Sequence, residues 1–215
     1  SEPFWMARKN GFGLEESFLY ASYRSGVDAS GDFILLNGLN DQARNPYHTF
    51  AVLRLRIAGV MLLTGFRNQV LTRVDGMVEP RIAMNGALRY RDVIGETAVV
   101  TGEVPDAAYC NWRRTLVQRT GQYALVVDEL KVRGDRDNVE VQVEWQSRKE
   151  QIVPAPGILR LAETDGKIFD VCLSDPVRTS ICGGVATMSW VNTSNSGRSQ
   201  IFFSLLAPNP DAVTS

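Results

Sequence analysis

The chain has 215 residues, 44% of them hydrophobic and 22% charged, with a formal net charge of −1. These proportions fit one large globular domain with a buried core and exclude a disordered chain. The even charge balance excludes a strongly basic nucleic-acid surface, and apolar runs such as Phe33-Ile34-Leu35-Leu36 fall far short of the ~20 residues a membrane helix needs.

The chain opens on Ser1-Glu2-Pro3-Phe4-Trp5, which lacks the basic and apolar segments of a signal peptide. We read that opening, with no initial Met, as a mature form or a domain cut from something longer. Strand signals follow. Phe50 to Ile57 and Val60 to Thr64 flank Ala58-Gly59 and predict a hairpin. Thr115 to Gln118 and Tyr123 to Asp128 flank Thr120-Gly121 and predict another. Val139 to Trp145 alternates strictly, so Val139, Val141, Val143 and Trp145 are expected to face inward. Ile152-Val153-Pro154-Ala155-Pro156-Gly157 reads as a stiff connection passing from one sheet to the other. Ile158 to Ala162 and Lys167 to Leu173 flank a turn at Glu163-Thr164-Asp165-Gly166. Gly184 to Val191 and Gln200 to Leu206 close the series across Asn192 to Gly197. No window of 12 or more residues keeps helical spacing without Gly or Pro. Short strands with frequent turns predict an all-β fold, a large antiparallel two-sheet β-sandwich over residues 1–215.

The residues that carry chemistry are sparse. The three cysteines, Cys110, Cys172 and Cys182, match no zinc spacing. A Cys172–Cys182 disulfide on neighbouring strands and buried free thiols both stay open. His48 is the only histidine. Beside Tyr47 it offers a general acid or base, and equally an ordinary hydrogen-bonded histidine at a strand end. The carboxylates show no clear pair: Asp128-Glu129 reads as a strand end and Asp135-Arg136-Asp137 as a solvated turn. There is no Gly-rich phosphate loop and no Gly-x-Ser-x-Gly elbow. Aromatic and arginine residues gather between positions 47 and 114, including Tyr47, Arg67, Asn68, Trp112, Arg113 and Arg114. Such groups stack on sugar rings and pair with acidic sugars, or else form a core Trp with arginines on its rim.

Several stretches resemble heparinase II/III-like polysaccharide lyases. They are Phe18 to Gly26 with Tyr23-Arg24-Ser25-Gly26, Asp32 to Gly38, Gln42 to Gly65, Tyr109 to Thr115 with its Trp112-x-Arg114, and Tyr123 to Asp128. Together they cover about residues 18 to 147; the remainder matches only by strand pattern. The resemblance implies the C-terminal β-sandwich of such a lyase, placed after an α/α toroid. It also implies β-elimination at uronic acids, with one side of the cleft built by the sandwich loop. It implies a secreted or periplasmic setting as well. The family loop carries His-x-His and then Asp before its Thr-Phe pair. Here those places hold Gln42, Arg44 and Pro46, and a further acidic place falls near Thr64, so no metal and no cofactor is expected.

The resulting expectation is one wall of a carbohydrate cleft, inactive on its own. His48 and Tyr47 are its candidate proton-transfer groups. Arg44, Asn45, Arg67, Asn68, Trp112 and Arg114 are candidates for contacting an acidic polysaccharide or oligosaccharide. An upstream helical domain of the same protein is the expected partner; nucleic acid and membrane are not. The rival readings are a non-catalytic carbohydrate-binding module and a structural support domain, the latter requiring an apolar patch on one face.

Overall fold

A computed structural model describes residues 12–28, 30–38, 50–65, 68–74, 77–78, 86–107, 109–133, 137–146, 150–163, 165–174, 178–182, 185–194, 197 and 199–209. A short 3₁₀ turn, Leu14–Glu16, precedes the strands, and every strand pairing is antiparallel. The four-stranded sheet runs β1(Tyr20–Arg24), β2(Phe33–Asn37), β3(Val52–Ile57), β4(Val60–Thr64) in that order. The five-stranded sheet contains β5(Gln69–Val74), β6(Met77–Val78), β11(Val139–Gln146), β15(Arg178–Cys182) and β16(Val185–Ser194), ordered β15-β16-β11-β5-β6. The eight-stranded sheet contains β7(Ala87–Ile94), β8(Thr97–Ala107), β9(Cys110–Arg119), β10(Tyr123–Val132), β12(Glu150–Ala155), β13(Ile158–Ala162), β14(Ile168–Leu173) and β17(Ser199–Pro208). Its order is β12-β13-β14-β17-β10-β9-β8-β7.

Period-two burial makes this a sandwich. Along β9 the inward residues are Cys110, Trp112, Arg114, Leu116 and Gln118; along β10 they are Ala124, Val126, Asp128, Leu130 and Val132. One continuous apolar core joins these rows to Ile34, Leu55 and Leu63 of the four-stranded sheet and to Val70, Val141 and Trp145 of the five-stranded one. The two smaller sheets therefore line the large sheet from the same side. They meet at Asn68, whose carbonyl accepts from Val52 N at 2.9 Å while its Nδ2 donates to the Val52 carbonyl at 2.9 Å. The amide side chain thus continues the ladder from β3 to the start of β5.

The hairpins at Ala58-Gly59, Gly121 and Gly166 form as read, and Val139, Val141 and Trp145 are buried. The side chain of Val143 lies outside the described residues. Two expectations are corrected. Ile152 to Gly157 does not cross between sheets: β12 is an edge strand of the large sheet and turns back into β13 at Pro156-Gly157. A proline has no N–H to donate, and the edge is where Pro154 costs no ladder bond. β16 joins β11 and β15, whereas β17 inserts between β10 and β14. Finally, β14 and β15 belong to different sheets, so Cys172 and Cys182 are not on neighbouring strands, and Cys172 is a free thiol.

A buried arginine anchor beneath the candidate site

Arg44, Asn45, Tyr47, His48 and Arg67 lie outside the described residues. Asn68, Trp112 and Arg114 are described, and all are interior, at 0%, 1% and 0% exposure. The expectation that these side chains meet a sugar is therefore corrected: none offers a surface. What they form is a polar knot inside the apolar core.

Its centre is Asp128, directly opposite Arg114 in the β9–β10 register. Arg114 Nε donates to Asp128 Oδ1 at 2.7 Å and Nη2 to Oδ2 at 2.9 Å, a bidentate fork. Trp112 Nε1 donates to the same Oδ1 at 2.8 Å. Arg114 Nη1 then donates to two backbone carbonyls, those of Phe50 and, at 3.1 Å, Asn68. The guanidinium also lies 4.9 Å from the Trp112 ring and 5.9 Å from the Trp145 ring, so indole faces supply part of what water would have given the cation. A buried charge is tolerated only when so thoroughly partnered.

Both carbonyls border candidate segments. Phe50 follows residues 39–49, which hold Arg44, Asn45, Tyr47 and His48, and Asn68 follows Arg67. Phe50 is itself constrained. Its φ is 59°, a left-handed conformation that bulky residues rarely adopt, and such positions concentrate at functional sites. Its N–H donates to the Asn37 carbonyl at 2.9 Å, which ties the residue ahead of β3 to the end of β2. Its ring is fully buried against Trp112, centroids 5.3 Å apart and nearly edge-on. Gly102 in β8 makes room for it: a Cβ there would stand 2.8 Å from the ring. One arginine thus holds the exits of both segments.

Sequence reasoning missed Asp128 by ending the strand there. The signal was present: Ala124, Val126 and Leu130 alternate through it, so position 128 faces inward and must find a partner. Among the described residues, no group of three His, Cys, Asp or Glu side chains stands together as a metal site.

The sequence matches no protein-family model and no curated protein. Solved structures do match. The heparan sulfate lyase HepC from Pedobacter heparinus superposes with a TM-score of 0.69 at 14% identity, over 97% of this chain and 39% of its own. The fold is shared with heparinase III. A heparinase III described as the BT4657 gene product gives 0.69 at 12% identity over 89% of this chain and 35% of its own, and a further heparinase III gives 0.68 at 10% over 91% and 36%. The chain thus spans less than two fifths of the heparinase III-like structures named here, and at these identities the likeness establishes the fold. The resemblance read from the strand motifs holds at that level.

Proposed function

We propose that this chain is the β-sandwich part of a secreted or periplasmic polysaccharide lyase acting on uronate-containing polymers, and that it forms one wall of the substrate cleft. The reading is supported above all by the Arg114 anchor, which secures the borders of both segments expected to face the polymer. In the proposal Tyr47 and His48 handle the proton, Arg44 and Arg67 meet the uronate carboxylate, and Asn45 orients a hydroxyl. Asn68, Trp112 and Arg114 position those segments from beneath. An upstream helical domain completes the site, so the isolated chain binds without turning over.

The test is to mix the isolated chain with heparan sulfate and with other uronate polymers, measuring binding by calorimetry and the unsaturated product by its ultraviolet absorbance. Saturable binding without product is the expected result. Binding to no uronate polymer overturns the cleft-wall reading, and strong turnover overturns the need for a second domain.

One observation also favours a support role on the opposite face. On the outer surface of the large sheet Ile201, Phe203 and Leu205 are 48%, 45% and 38% exposed, and Phe203 and Leu205 sit opposite Val127 and Leu125. On that second reading, we propose that this apolar face supports a neighbouring domain in place of the cleft role.

A further inference from the structure

A cavity lies where the two layers part. Ser17 bridges to Ala87 and Phe18 N donates to the Gly86 carbonyl, holding the chain ahead of β1 against the start of β7. Beyond this point the strands diverge: β1 pairs only with β2 and β7 only with β8, so each is an outer edge of its sheet. A cleft of about 480 Å³ opens between them, within the range of small-molecule sites.

The register identifies its floor. Arg91 stands opposite Val100, itself opposite Leu116; Val93 stands opposite Ala98, itself opposite Gln118. Leu116 and Gln118 are inward residues of β9, so these rows lie on the core side of the sheet. Ala21 and Tyr23 of β1 and Ile34 of β2 form the facing wall. Core-side positions are normally covered, yet Val93 is 54% exposed and Arg91 is exposed too, because the four-stranded sheet stops at β1.

Two polar groups on this cleft lack partners. Gln118 is 1% exposed and its Nε2 donates to the Arg56 carbonyl at 2.8 Å, but its Oε1 accepts from nothing. A buried acceptor without a donor is costly, and native structures rarely leave one without a reason. Arg91 makes no ion pair among the described residues, although Arg89, two positions earlier, is held by both Glu16 and Glu103. On the sheet lattice Arg91 and Gln118 are two strands and one inward step apart, roughly 10 Å across and 7 Å along. Between them lies the apolar floor of Val93, Ala98 and Val100.

We propose that this cleft binds a hydroxylated ring carboxylate. The Arg91 guanidinium donates to the carboxylate, the ring lies on the apolar floor, and a ring hydroxyl donates to Gln118 Oε1. A uronic acid and a hydroxyaryl acid share this chemistry. The proposal does not depend on the lyase reading, since it involves neither the 39–49 segment nor Arg67.

The test titrates the full chain with glucuronate and, separately, with 4-hydroxybenzoate and benzoate, followed by calorimetry. Saturation of a single site by glucuronate assigns the sugar source, and by 4-hydroxybenzoate the aromatic one; either supports the site. Arg91→Gln is expected to weaken that binding at least tenfold. Val93→Trp, which fills the mouth from an exposed position, is expected to abolish it. If the aromatic acid binds, benzoate should bind at least fivefold more weakly, having no hydroxyl for Gln118. Absence of saturation by either acid, or binding indifferent to Arg91→Gln and Val93→Trp, overturns the proposal.

Discussion

Arg114 and Asp128 face each other across the β9–β10 ladder with side chains 0% and 1% exposed, a buried ion pair whose cation also grips the carbonyls of Phe50 and Asn68. Removing one partner strands the other charge in the core, at a cost of about 3–5 kcal/mol. Asp128→Leu and Arg114→Met are each expected to lose stability on that scale. The double change Asp128→Leu with Arg114→Met should be more stable than either single variant, because no unpaired charge remains. Urea unfolding of the four proteins checks this; simple additivity of the two losses would refute the account.

Asp32 joins two turns. It is 3% exposed, with Oδ1 accepting from Ala58 N at 2.8 Å and Oδ2 from Gly121 N at 2.7 Å. The first amide belongs to the β3–β4 turn of the small sheet and the second to the β9–β10 turn of the large one. Asp32→Ala leaves both donors without an acceptor, and we expect a loss of about 1–3 kcal/mol, read from the thermal midpoint. Hydrogen exchange at Ala58 and Gly121 should accelerate together. Acceleration at one turn alone would mean that the aspartate does not couple them.

The β3–β4 turn carries avoidable strain. Ala58 has φ 50° and Gly59 φ 78°, so both central residues are left-handed. Alanine is poorly suited to that conformation, whereas Asn-Gly is the preferred pair for a turn of this hand. Ala58 is exposed and its N–H bond to Asp32 survives substitution. Ala58→Asn should therefore stabilise the fold, by about 0.5–1 kcal/mol. A lowered melting temperature would contradict this.

Asp170 makes stability depend on pH in the acid range. Burial alone raises its carboxyl pKa, but hydrogen bonds from Arg160, at 2.8 and 3.0 Å, and from Asn209, at 2.6 Å, together with the arginine charge, outweigh it. The net direction is downward. A carboxyl lowered by folding contributes stability that is full above its unfolded pKa of about 3.9, and that stability disappears as pH falls through the folded value. Asp170→Asn should thus be less stable than the parent at neutral pH, modestly because Arg160 is partly exposed, and the gap should close below about pH 4. Urea midpoints measured across that range decide it; a gap that widens toward acid would show the sign to be wrong.

Alternation along single strands was legible without coordinates. It places Val139, Val141 and Trp145 inside, and it marks Ala58-Gly59, Gly121 and Gly166 as turns, because side-chain period and left-handed φ are local properties. The same alternation runs through Arg114 and Asp128, yet the sequence reading took Arg114 for a sugar contact and Asp128 for a strand end. Trp112 and Arg114 looked like sugar-facing groups because an Arg beside a Trp has the same chemistry at a surface as in a core.

The sequence by itself determined the all-β class, the hairpins and the inward rows, since each depends only on neighbours a few residues apart. Only the tertiary structure decided that β16 and β17 part company, that Cys172 and Cys182 belong to different sheets, and that one guanidinium spans β9, β10 and the borders of two distant segments. Those relations rest on contacts between residues far apart in the chain, such as Arg114 with Phe50, and no local periodicity encodes which strand will lie beside which.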